Sequence, residues 1–186
     1  VPINHPACKT FPPTERCLEQ WKPWSERADE IVFIANNKTS RHDSELYTFR
    51  MHLADMLAQK SKFKVSWYGE IPLNRSYYRG RAENKEDILR NVKFSVCTEN
   101  CYHPLYSANY FSEKLPEVWM NGAIPLYFGC YNINDFGFPE HSYIDLRTYV
   151  NKAAKDVFHI QWGPLLDRIH HWDEIRYINY KEDVRY

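Results

Sequence analysis

Ile31-Val32-Phe33-Ile34-Ala35 is a short unbroken apolar run, closed by Asn36-Asn37-Lys38-Thr39-Ser40. An uninterrupted run of this length predicts a strand covered on both faces, and the polar cluster behind it predicts a loop. The period then turns helical. Leu46, Phe49, Leu53, Met56 and Leu57 recur at three- and four-residue steps, predicting an amphipathic helix with Ser40 or Asp43 placed to cap its start. Residues 63–68 read as a second strand, 69–84 as a polar loop with several arginines, 85–90 as a short helix and 92–96 as a third strand. Ser112 stands where it can cap a helix over about 113–121 that Gly122 ends. Pro116 falls near its first turn, where a missing N–H costs least. Residues 123–128 predict a fourth strand, 143–146 a fifth, and the remainder to Tyr186 reads as helical.

Strands alternating with helices predict an α/β fold, a parallel sheet with helices on both faces and right-handed crossovers. Residues 1–29 are different. They are proline-rich at the start, carry the cluster Trp21-Lys22-Pro23-Trp24 and show no sustained period. They read as an extended linker or the end of a preceding domain, anchored by its tryptophans, with the domain proper at 30–186.

Composition narrows the function classes. With 44% hydrophobic residues, the 186-residue chain can bury a real core. Lys+Arg and Asp+Glu both number 24, so no global field argues for nucleic acid or an anionic membrane, although a local basic pocket stays open. Aromatics reach 16%; flat rings stack on sugars and bases, but core packing accounts for most of them. No apolar run approaches the roughly 18 residues that span a bilayer, and the first residues lack the pattern of a signal peptide. A start without Met, in what reads as a linker, suggests a trimmed product or a fragment. The cysteines, Cys8, Cys17, Cys97, Cys101 and Cys130, do not sit at zinc spacing, so no metal site is expected. Cys8 with Cys17 closes a small loop in an oxidising compartment, or both are free thiols. Asn37-Lys38-Thr39 and Asn74-Arg75-Ser76 are glycosylation sequons, which also arise by chance.

In an open α/β sheet, ligands sit outside the carboxyl ends of the strands. Two loops there are well furnished. One follows the first strand and carries Lys38, Arg41 and His42; the other follows the third and carries Glu99, Asn100, Tyr110, Glu113 and Lys114. Arg41 offers a planar fork for phosphate oxygens and Lys114 a point charge for a diphosphate leaving group. Glu113 can accept hydrogen bonds from sugar hydroxyls, and Asn100 can bridge a nucleotide through its donor and acceptor pair. Taken singly, each has a plainer reading. Arg41 is also an ordinary surface residue, and Glu113-Lys114 is also ordinary chemistry at a helix start. Concurrence at one sheet edge favours the functional reading.

The segment KFSVCTEN…YFSEKLPEVWMNGAIPLYFG resembles the signature of glycosyltransferase family 10, the α-1,3/1,4-fucosyltransferases. Lys93-Phe94, Glu99-Asn100, Tyr110, Glu113-Lys114-Leu115, Ala123-Ile124-Pro125 and Gly129 stand in register with it, and FIANNKTSR places Arg41 on the family's loop arginine. The resemblance covers about residues 30–149. Thr98 and Ser112 replace the family's Phe and Thr, and the loop between Asn100 and Tyr110 is longer. What the resemblance implies is the donor-binding, Rossmann-like half of a GT-B glycosyltransferase, with GDP-fucose as donor, a glycan acceptor, inversion at the anomeric carbon and no tightly bound cofactor or required metal. It implies diphosphate contacts for Arg41 and Lys114, a sugar contact for Glu113, and places in the nucleotide site for Glu99, Asn100 and Tyr110. The family's general base lies in an acceptor domain, expected in the same precursor or a partner chain. A transferase for another nucleotide sugar, or a non-catalytic module on the same fold, are the alternatives.

Overall fold

The computed structural model describes residues 15–105, 107–136, 138, 141–154 and 157–184. After a short helix α1 (Glu15–Glu19), five strands form one sheet: β1 (Ala28–Ile34), β2 (Lys64–Tyr68), β3 (Val92–Thr98), β4 (Ile124–Phe128) and β5 (Ile144–Asp145). Their order is β2-β1-β3-β4-β5 and every pairing is parallel. Parallel neighbours need crossovers, supplied in part by α2 (Tyr47–Lys60), α3 (Lys85–Asn91) and α4 (Lys114–Met120). The chain closes with an antiparallel hairpin, β6 (Val150–Ala154) and β7 (Val157–Ile160), then α5 (Trp162–His170) and α6 (Glu174–Asp183). The apolar runs behave as expected of a sheet covered on both faces. All five residues of β4 are buried, and Ile31, Val32 and Phe33 are fully so.

Three expectations need correction. The second helix begins at Tyr47, and neither Ser40 nor Asp43 caps it. Residues 44–46 are instead drawn into a β-like bridge with the loop after β3. Glu45 pairs with Cys101, the Leu46 amide donates to the Asn100 carbonyl (3.0 Å), and the Tyr102 amide donates to the Ser44 carbonyl (2.8 Å). Backbone committed to that bridge cannot be helical, so the buried Glu45 carboxylate takes over and accepts from the Tyr47 and Thr48 amides at 2.5 and 3.1 Å. At α4 the capping position falls to Glu113, which makes no side-chain cap bond, while the Ser112 hydroxyl one residue earlier accepts from the Lys114 amide at 3.4 Å and also donates to Glu99. Gly122 does end that helix, with φ +76°.

The third correction is the β6–β7 hairpin, in a stretch that reads as helical along with the rest of the chain to Tyr186. Long-range packing overrides that propensity: Phe158 lies 5.0 Å from Phe49 of α2, centroid to centroid, and the Gln161 amide donates to the Tyr149 carbonyl at 2.8 Å.

At the amino end of the sheet, Trp21 stacks on Tyr180 of α6 (5.5 Å) and Trp24 meets Phe94 edge to face (5.6 Å). The two tryptophans thus clamp the preceding segment to the core and to the last helix. Residues 1–14, including Cys8 of the expected Cys8–Cys17 loop, lie outside the described residues.

Candidate donor site

The strand order reverses between β1 and β3, since β2 lies beyond β1 and β4 beyond β3. Loops leaving those two carboxyl ends turn away from each other and open a crevice. The expected residues stand on these two loops, and the 44–46 bridge to 100–102 ties one loop to the other.

The centre of the arrangement is Glu99, directly after β3 and wholly buried. Its carboxylate accepts from the Ser112 amide (2.8 Å), the Ser112 hydroxyl (3.0 Å) and the Lys114 ammonium (3.2 Å). A carboxylate removed from water is tolerated when its lone pairs are taken up in this way. The Lys114 ammonium also reaches the Ser112 hydroxyl at 2.9 Å. With three donors on an ammonium and 24% of its side chain exposed, Lys114 has one N–H beyond its bonds to Glu99 and Ser112. Gly129 permits this packing. A Cβ there would stand 2.2 Å from the Glu99 Cγ and 2.8 Å from the Tyr127 hydroxyl.

Arg50 supports the same point from α2. Although buried, its guanidinium donates to the Thr98 hydroxyl (2.5 Å) and to the carbonyls of Thr98 (3.0 Å) and Glu99 (3.2 Å). Sequence reasoning missed this residue. The available signal was its place four residues after Leu46 and three before Leu53, on the apolar stripe, where an arginine is out of pattern.

Glu113 is half-buried and, with Lys114, Cys97, Lys85 and Glu117, lines a pocket of ≈ 60 Å³. Ile34 and Lys85 are shared with a larger cleft of ≈ 640 Å³ at the ends of β1 and β2, whose walls include Asn36, Tyr68, Gly69 and Arg81. Lys85 itself is paired with Glu117 at 2.9 Å. Tyr110 is 44% exposed. Burial raises its pKa, and the fields of Glu99 and Glu113 add to the rise while Lys114 opposes it, so the phenol sits within electrostatic reach of the whole cluster. Direct bonds therefore unite Glu99, Ser112 and Lys114, with Glu113 and Tyr110 alongside. Arg41 and Asn100 are exposed on the bridged loops. Among the described residues no group of three or more His, Cys, Asp or Glu side chains is arranged to hold a metal ion, and no helix is long and apolar enough to cross a membrane.

Comparison with known proteins adds an independent line. The family described as glycosyltransferase family 10 (fucosyltransferase), C-terminal region, matches residues 24–162. A fucosyltransferase-like protein of Arabidopsis thaliana is 27% identical over 145 residues, which is 77% of this chain and 25% of that protein. Among solved structures, an α1,3-fucosyltransferase with GDP-fucose superimposes with a TM-score of 0.60 at 19% identity, covering 92% of this chain and 44% of that one. The α1,3-fucosyltransferase with GDP gives 0.54 at 20%, covering 84% and 38%. The parallel sheet with its flanking helices is therefore the fold of GT-B fucosyltransferases. The chain spans about a quarter of the length of the curated relative and less than half of those structures.

Proposed function

The chain belongs to glycosyltransferase family 10, the fucosyltransferases, and from that premise we propose that it binds GDP-fucose and stabilises departing GDP during inverting transfer of fucose to a glycan acceptor. The observation that carries this reading is the Lys114 ammonium, held by buried Glu99 at 3.2 Å, with its side chain lining the same pocket as Glu113. As the bond from the anomeric carbon to the diphosphate breaks, negative charge gathers on the diphosphate oxygens. A cation fixed there in advance stabilises that state more than the ground state. Arg41 adds a second cation from the loop after β1. Glu113, lining the adjoining pocket, receives the fucose hydroxyls and offsets positive charge on the oxocarbenium-like sugar. Asn100 and Tyr110 line the nucleotide. Glu99, wholly buried, holds Lys114 in place and contacts no substrate.

Inversion requires the acceptor hydroxyl to attack from the face opposite the diphosphate, with a base to take its proton. Both the acceptor site and that base belong to an acceptor domain, in the same precursor or in a partner chain. Thermal melting in the presence of GDP, GDP-fucose, UDP and buffer alone tests the donor reading. GDP and GDP-fucose are expected to raise Tm and UDP to leave it near the buffer value; absence of any shift with guanine nucleotides sinks the proposal.

A further inference from the structure

Two adjoining clefts lie outside the proposed donor site, one of ≈ 190 Å³ beside α5 and α6 and one of ≈ 290 Å³ beside the edge strand β5. They share His141 and Arg168, and the smaller is lined also by Trp172, Arg176, Asn179 and Asp183. Trp172 places the smaller cleft. Its ring meets Phe94 edge to face at 6.2 Å, and Phe94 precedes Glu99 by about 16 Å of strand. That cleft therefore lies towards the amino end of the sheet, away from Lys114.

Three features of the lining are unresolved within the fold itself. Arg168, half-buried on α5, lies over the Trp172 ring at 5.0 Å and forms no hydrogen bond or ion pair with any described residue. By contrast, Arg27, Arg50 and Arg147, also drawn into the fold, each bond several carbonyl or carboxylate oxygens. A guanidinium over a ring engages through its flat face, so the N–H groups in its plane keep their bonding capacity. Next, the Trp172 indole Nε1–H is buried without an acceptor, where a buried indole normally finds one. Finally, the charges do not balance. Arg176 gives one N–H to the His171 carbonyl at 2.8 Å and has others to offer. Asp183 is the sole carboxylate lining the smaller cleft, and Asp145 in the larger one is taken by Arg147 at 2.6 Å.

We propose that the two clefts form a second binding site, for an oxyanion of the sulfate or phosphate class, with Arg168 and Arg176 as its cationic donors. Planar guanidinium forks match the oxygens of such a group and hold it with charge-assisted bonds. Beyond Arg168 the larger cleft continues past Thr148 and Tyr149, whose hydroxyls suit the remainder of a sugar that carries the anion. The site is independent of the donor reading.

Calorimetric titration of the Lys114→Ala protein with sodium sulfate, sodium phosphate, galactose 6-sulfate and galactose tests it, because an anion bound there is not held by Lys114. The three anions are expected to bind and galactose not to. Adding Arg168→Gln, or Arg176→Gln on the exposed face of α6, is expected to weaken each anion about 10-fold; the second variant leaves the Arg168–Trp172 packing intact. Tighter binding of galactose 6-sulfate than of sulfate assigns the site to a sugar ester, and equal affinity assigns it to the inorganic ion. Absence of anion binding in Lys114→Ala, or binding that both arginine variants leave unchanged, overturns the second site. Galactose bound as tightly as its sulfate also overturns it. None of these outcomes bears on GDP binding by the wild type.

Discussion

Two buried arginines, one at each end of the same sheet, do similar work in different surroundings. Arg27, ahead of β1, donates to the carbonyls of Lys22 (3.2 Å), Leu89 (3.2 Å), Val92 (3.0 Å) and Asn121 (3.1 Å), with Tyr177 against its guanidinium. Arg50, at the opposite end, gathers Thr98 and Glu99. Burial lowers the pKa of both guanidinium groups, and both recover the lost hydration by bonding several backbone oxygens. The difference lies in what they hold. Around Arg27 the space is closed by Trp21, Trp24, Tyr177 and Tyr180, all buried. Arg50 instead holds the backbone of Glu99, whose carboxylate bonds Lys114, and the Lys114 side chain is 24% exposed. The same device seals a fold at one end and fixes a floor beneath the proposed donor site at the other.

The comparison breaks most visibly in stability. Arg27→Ala strands four carbonyls and is expected to cost about 4 kcal/mol, a large share of the stability of a domain, while the folded fraction keeps its GDP affinity. Arg50→Ala is expected to cost about 3 kcal/mol and to weaken GDP as well, because the Glu99 backbone is released. Urea unfolding and calorimetry on both variants decide, and equal GDP affinity in the two would erase the distinction. Lys114→Ala acts on binding first, with GDP affinity lower by about 100-fold, or roughly 2.7 kcal/mol; an unchanged affinity would remove Lys114 from the diphosphate. Gly129→Ala brings its Cβ to 2.2 Å from Glu99 Cγ and is expected to cost about 2 kcal/mol with partial loss of GDP binding. A neutral Gly129→Ala variant would mean that the Glu99 position is not critical.

The smallest effect is expected far from the site. His170 Nε2 accepts from the Lys62 amide at 3.2 Å, and burial, with the Lys62 ammonium behind it, lowers the imidazole pKa. A histidine with a depressed folded pKa contributes stability that is full above its unfolded value of about 6.5 and is lost as pH falls through the lower folded value. Tm should therefore decline slightly from neutral to mildly acidic pH, and His170→Gln should flatten that decline. Identical profiles would show the imidazole to be thermodynamically silent.

Much of this architecture is legible in local pattern. Ile31–Phe33 and the β4 residues are continuous apolar runs because both faces of their strands are covered, and Gly122 ends α4 because only a residue tolerant of positive φ fits there. The Glu45 cap was hidden because it depends on a bridge to Cys101, and the β6–β7 hairpin because Phe158 finds Phe49. Arg50 was missed because its backbone partners lie about 50 residues away, and the one local sign of it is a charge on the apolar stripe.

By itself, the sequence determined the five strands of the sheet, the helices that alternate with them, and which charged residues stand on the two loops, since these follow from periodicity over a few residues. Only the tertiary structure decided that Glu99 is sealed beneath Lys114, that Arg50 grips the end of β3, and that the loops after β3 and β4 are tied through Asn109 and Asn132. Those outcomes rest on bonds between residues far apart in the chain, where no local period records who the partner will be.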